Sequence, residues 1–167
     1  MRVYLSSTIP ALADTLAKGE VSEPPLRAFA VTPALREAYA SGDDEELEYV
    51  AMLTAARQSL RLLADDADSP RRRVVLAVDV PEREVSWHAY DDEPSAVIVS
   101  ATIPMSAVVS GHMDVPEASE DVAAAADAIG AADAGDEDAA FTVDSAEGHE
   151  LAWYATQELQ YIPNDRG

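Results

Sequence analysis

The residues with the most suggestive chemistry lie near the C-terminal end, in "EGHELAWYATQEL" (147–159). His149-Glu150 begins the HExxH pattern, in which two imidazoles one helical turn apart bind zinc and the glutamate activates water. The position that needs the second imidazole is Trp153, which cannot ligate zinc. The competing expectation is a closing amphipathic helix. Asp144 would cap it, Glu147 would complete a capping box, and Leu151, Tyr154, Ala155 and Leu159 would form its apolar side. On such a helix His149, Trp153 and Gln157 fall at i, i+4 and i+8, a second stripe and a candidate interaction surface. The only other histidines are His88 and His112, both on expected strands. No metal and no cofactor is expected.

Other signals are weaker. "DAGDED" (133–138) has the acid content of a calcium loop but neither its spacing nor its bidentate glutamate. The chain has no G-x-S-x-G elbow, P-loop or G-x-G-x-x-G, so hydrolase, NTPase and nucleotide-oxidoreductase readings lose their usual support. Carboxylates are too numerous to single out a catalytic pair. "SPRRR" (69–73) is the one basic cluster. It is expected to be a solvated gatekeeper before an apolar strand, with an anion pocket beside the sheet as the alternative.

The charge distribution narrows the partners. The 167 residues carry a net charge of −21. The eleven basic residues are Lys18 and ten arginines, and between Glu84 and Asp165 there is no Lys or Arg against eighteen acids. Such a surface repels phosphate, so neither nucleic acid nor an anionic membrane is an expected partner. High charge serves solubility; it also suits a basic protein partner. The absence of cysteine excludes disulfides, thiolate catalysis and Cys-ligated metals. No stretch has transmembrane length and the start lacks the form of a secretory signal, so the cytoplasm is the expected location. The oligomeric state is not legible.

The elements that would position these residues follow from periodicity and caps. "RVYLSS" (2–7) alternates as a strand, and "TIPALADTLAKGE" is a helix capped by Thr8 and ended by Gly19. "RAFAVT" (27–32) is a short strand, after which Thr32-Pro33 starts a short helix. The longest helix spans about 43–64, with four acids at its start and a buried stripe of Tyr49, Met52, Leu53, Ala56, Leu60 and Leu63. "VVLAVDV" (74–80) is nearly all apolar, hence a central strand covered on both faces. "EVSWHA", "AVIVSATI" (96–103) and "VVSGHMDV" are further strands. "EASEDVAAAADAI" is helical by propensity, "GAADAGDED" a loop and "AFTV" a final edge strand. Together these make an α+β chain: a single domain over 1–163 with a tail at 164–167, and a mixed, mainly antiparallel sheet of five or six strands with four helices packed on it.

Two resemblances add to this. "AFAVTPALREAYASGDDEELEYVAMLTAARQSLRLLA", "RRRVVLAVDVP" and "HELAWYATQEL" together resemble an uncharacterised actinobacterial family, a domain of unknown function. That resemblance implies no activity, ligand or catalytic residue. The order of elements from "RVYLSSTIPALADTLAKG" through "AFAVTP" and "VVLAVDVP" to "AVIVSATIPMSAVVSGHMDV" is similar to small ADP-ribosyltransferase-like folds. The His or Arg of the first strand that grips the dinucleotide in those folds is replaced by Leu5, and Gln157-Glu158 do not match the late catalytic glutamate motif.

The leading expectation is therefore an acidic binding or interaction module without catalysis, with a basic protein as partner. The alternative is a divergent ADP-ribosyltransferase-like enzyme or nucleotide-ligand-binding protein. It requires Tyr4, Ser6, Arg27, Thr32, Arg72 and His88 to converge on one pocket. A third reading, mimicry of nucleic acid by the acidic half, requires rows of carboxylates at phosphate spacing on one face.

Overall fold

A computed structural model describes residues 1–87 and 92–164. The central strand is β1 (Arg2–Ser7), paired along its full length with β4 (Val74–Asp79). Because successive side chains alternate across a strand, each of these two serves both faces of the sheet. Val3, Leu5, Leu76 and Val78 go to one face; Tyr4, Val75 and Ala77 go to the other. The full sheet is antiparallel, in the order β5 (Val85–Ser86), β6 (Ala96–Val99), β3 (Leu26–Phe29), β1, β4, β8 (Val108–Met113) and β9 (Ala152–Ala155). β2 (Glu20–Val21) and β7 (Ile103–Pro104) form a separate two-stranded ribbon. The domain is single and α+β, with seven strands in the main sheet among the described residues rather than five or six.

Two layers cover the sheet. On the first face lie α1 (Ile9–Lys18) and a terminal 3-10 helix (Thr156–Asn164), contributing Ile9, Leu12, Leu159 and Ile162 to the core. Thr8 caps α1 and Gly19 ends it in the left-handed region at φ 74°. Gly111 on β8 leaves room for Leu159 here: a Cβ at that position would run into Leu159 Cδ2, and the buried leucine would have to shift. On the second face lies α3 (Asp44–Ala64), capped by Asp43. The short α2 (Pro33–Ala38) precedes it, capped by Thr32. α3 comes close to the sheet because its contact residues are small: Ala51, Ala55 and Ala56 sit against Tyr4, Phe29, Val75 and Ala77. The buried stripe is therefore Leu47, Ala51, Ala55, Ala56, Ser59, Leu60 and Leu63. Tyr49, expected in that stripe, is 48% exposed. At its C-terminal half α3 packs Leu60 and Leu63 against a hairpin of α4 (Ser119–Asp133) and α5 (Glu137–Glu147).

The acidic C-terminal third departs most from expectation. α4 continues through the residues expected to form a loop, leaving 134–136 as the link. Asp136 caps α5, its carboxylate accepting from Ala139 N at 2.9 Å. "AFTV" is thus helical, with Val143 and Ala146 buried against α4, and is not an edge strand. The capped closing helix from Asp144 does not form. The chain instead turns after Glu147 and enters the sheet as β9. The cause is Arg73. Its guanidinium donates to Ala146 O at 3.0 Å and His149 O at 3.1 Å, taking up one carbonyl in the last turn of α5 and one just beyond it. It also forms a two-pronged ion pair with Asp114 at 2.9 and 2.8 Å, with side chains 1% and 0% exposed.

"SPRRR" is accordingly not a solvated face. Arg72 is buried, donating through Nε to Asp114 O at 2.9 Å, and Arg71 donates to Leu63 O and Asp66 O. Part of "EVSWHA", the turn residue Asp91 and the tail residues 165–167 lie outside the described residues.

Removing one partner of a buried, hydrogen-bonded pair leaves an uncompensated charge in the interior. Asp114→Ala is expected to lower the unfolding free energy by about 3–5 kcal/mol, read from the urea midpoint. A loss below about 1 kcal/mol, the range of exposed pairs, would show that the network does not hold the fold.

Candidate functional site

The α3 face of the sheet is only partly covered. α3 lies over β3, β1 and β4, and the α4–α5 hairpin packs on its C-terminal half. Next to the N-terminal half of α3, the floor over β4, β8 and β9 remains open as a cleft of about 340 Å³. Its floor is short-chained: Ala77 and Ser110, cross-strand partners, lie between Tyr4 and His112. One wall is a single stripe of α3, Glu45, Glu48, Tyr49 and Met52, spaced i, i+3, i+4, i+7. The opposite wall is Trp153 of β9, directly across from His112 in the register and 63% exposed. Arg2 closes one end.

The electrostatics follow from pairing. Arg2 is held by Asp79, Nε to Oδ1 at 2.7 Å and Nη2 to Oδ2 at 3.2 Å. This bond raises the arginine pKa and holds the Asp79 carboxyl below the usual range. The Tyr4 phenol is pushed up by burial and then by the Glu48 carboxylate, so it stays protonated. His112 shares a 3.0 Å hydrogen bond with Ser110 Oγ, and burial pushes its pKa below 6.5, leaving it neutral near pH 7. Arg2 is thus paired with Asp79, and it also feels the Glu48 carboxylate across the cleft. Glu45 and Glu48 have no ion-pair partner among the described residues. Two aromatic faces, two carboxylates and a neutral imidazole, with Arg2 held at one end by Asp79, suit a cation with a flat or apolar stem.

The residues singled out from sequence are dispersed. Tyr4 lines this cleft. Ser6 and Arg27 line a second hollow of about 130 Å³ against α1. Ser6 Oγ donates to Ala55 O at 2.6 Å, and the Arg27 guanidinium stands 5.6 Å from the Phe29 ring centroid. Thr32 caps α2 through Leu35 N and donates to Pro94 O. Arg72 belongs to the buried network below β4. His88 lies outside the described residues. The five described members of the set do not share a pocket.

His149, Trp153 and Gln157 do not form a helical stripe, since β9 intervenes. Trp153 faces the cleft, the His149 ring meets Asp121 Oδ2 at 2.7 Å, and Gln157 is exposed on the terminal 3-10 helix. Arg2, Glu45, Glu48, Ser110 and His112 were not singled out from sequence as one site. The signal for the helical wall was present in the spacing of 45, 48, 49 and 52. Its assignment to solvent rather than core was not.

Fold and site together define an antiparallel α+β domain with an acidic, aromatic cleft beside an edge strand. The chain belongs to a family of unknown function, DUF6912, which matches residues 1–162. No curated protein and no solved structure matches it.

Burial penalises charged His112, so the folded state binds its proton less readily than the unfolded state. The stability due to neutral His112 is complete above 6.5 and falls as the pH drops toward the lower folded value. Proton NMR of the imidazole is expected to give a midpoint below 6.5, and His112→Gln to flatten the stability profile in that window. A midpoint at or above 6.5 would contradict the burial argument.

Proposed function

We propose that this protein is a non-catalytic binding module, and that its cleft receives a cationic side chain of a basic protein partner. The observation that carries this reading is the exposure of Tyr49 and Trp153 on one cleft beside Glu45 and Glu48, two carboxylates without a cationic partner among the described residues. A cation over an aromatic face gains about 0.5–2 kcal/mol. A guanidinium also presents donors that match carboxylate geometry. The charge of −21 attracts such a partner over longer range and speeds encounter at low salt.

The dispersal of Tyr4, Ser6, Arg27, Thr32 and Arg72 favours binding over the ADP-ribosyltransferase-like alternative, which needs them together. No described helix is long and apolar enough to cross a membrane. The setting that goes with this reading is the cytoplasm, where high charge keeps the chain dispersed.

The chain has two tryptophans, so Trp87→Phe leaves Trp153 as the single indole reporter. Titration with Nα-acetyl-argininamide is expected to change Trp153 fluorescence saturably. Glu45→Gln with Glu48→Gln should weaken binding about tenfold, some 1.4 kcal/mol. Equal affinity in the double variant would remove the carboxylates from the reading, and no saturable change would remove the cleft.

A further inference from the structure

β9 is the last strand of the seven-stranded sheet, so one side of its backbone pairs with β8 and the other faces outward. The register pairs Ser110 with Ala155, Gly111 with Tyr154, His112 with Trp153 and Met113 with Ala152. The amide of Ala155 donates to Glu158 Oε1 at 3.0 Å rather than to β8. In an antiparallel ladder, bonded and non-bonded pairs alternate. Ala155 and Trp153 are therefore the residues whose N–H and C=O turn away from β8. Glu158 occupies the first of these amides, and no described hydrogen bond occupies that of Trp153. The open part of the edge is thus at the residue whose side chain walls the cleft.

Resting on the cleft reading above, we infer that the cationic group arrives on an extended segment of the partner, which adds to β9 as an antiparallel eighth strand with an arginine opposite Trp153. Residues directly opposite in an antiparallel pair project to the same face, with Cβ atoms about 5 Å apart. Trp153 projects to the α3 face, so the arginine stem lies along the indole and its guanidinium enters the cleft toward Glu45 and Glu48. Main-chain bonds at Trp153 supply affinity and the cleft supplies selectivity, the division of labour in strand addition. Charge complementarity selects this occupant. A second copy of the chain would bring another −21 to the same edge, whereas a basic segment meets Glu45 and Glu48, neither of which has an ion-pair partner among the described residues. The bond from Ala155 to Glu158 limits the edge at one end and sets the register.

The test compares three probes against the Trp87→Phe protein: Nα-acetyl-argininamide, the peptide acetyl-Thr-Val-Arg-Val-Thr-amide, and the same peptide with its arginine N-methylated. The methyl group removes the N–H that would bond to Trp153 and keeps the guanidinium. The parent peptide is expected to bind at least about tenfold more tightly than the amide. The methylated peptide is expected to fall back to the level of the amide, and Trp153 amide exchange to slow with the parent peptide alone. If parent and methylated peptides bind alike and Trp153 exchange is unchanged, strand addition is overturned while the cleft reading stands. If none of the three binds, both readings fail. A dimer in sedimentation, with the Trp153 amide already protected without peptide, would assign the edge to a second copy and overturn the inference.

Discussion

The ion pair between Arg73 and Asp114 fixes the path of the chain on which the rest depends. Both side chains are buried, and desolvating two charges is unfavourable unless the remaining donors and acceptors are used. Here they are. Asp114 Oδ2 accepts the Arg73 amide at 2.7 Å as well as its Nε, and the guanidinium also bonds Ala146 O and His149 O. The start of β4, the end of β8, the end of α5 and the entry to β9 therefore meet at one point. The turn after α5 brings residues 152–155 alongside β8, and that pairing puts Trp153 on the α3 face opposite His112. The cleft is a consequence of this junction together with the three alanines that draw α3 down beside it.

Many of the cations are committed to structure in the same way. Arg57 pairs with Glu147 and Arg61 with Asp133, tying α3 to the acidic hairpin. Arg2 pairs with Asp79, Arg36 with Asp44 and Lys18 with Asp14, while Arg71 and Arg72 bond carbonyl oxygens. The concentration of basic residues in the first half of the chain and acids in the second is in part a division between two sides of a packing interface. The acids left over face outward, and Glu45 and Glu48 stand out among them because they share a concave surface with aromatic rings.

Local chemistry made much of the fold legible. Thr8 and Thr32 cap the helices their sequence context assigns to them, Asp43 proves to be the cap of α3 rather than part of its first turn, and the near-continuous apolar run at 74–78 is buried on both faces. The C-terminal third was not legible, for two physical reasons. "LAWYA" satisfies both a helical and an alternating pattern over so few residues, and its choice depends on pairing with β8, some forty residues away. The stop after α5 falls at Gly148, a local signal, but the path beyond it is held by Arg73, more than seventy residues earlier. The cleft shared this difficulty. Tyr49 and Met52 have the spacing of a core stripe, and only the position of β9 decides that they line an open surface. Tyr4 was legible as a sheet residue, though in a set that the fold disperses, whereas Glu45 and Glu48 were hidden among thirty other acids of equal standing in the sequence.

On the reading proposed above, this acidic chain offers a defined cation site and not merely an attractive surface. Amide and indole chemical shifts, followed by NMR as Nα-acetyl-argininamide is added to the unaltered protein, separate the two. A defined site gives the largest changes at the Trp153 indole and at the amides of Glu45, Glu48, Tyr49 and Met52, with α4 and α5 little affected. Changes spread over the acids of α4 and α5, with the Trp153 indole unmoved, would contradict it.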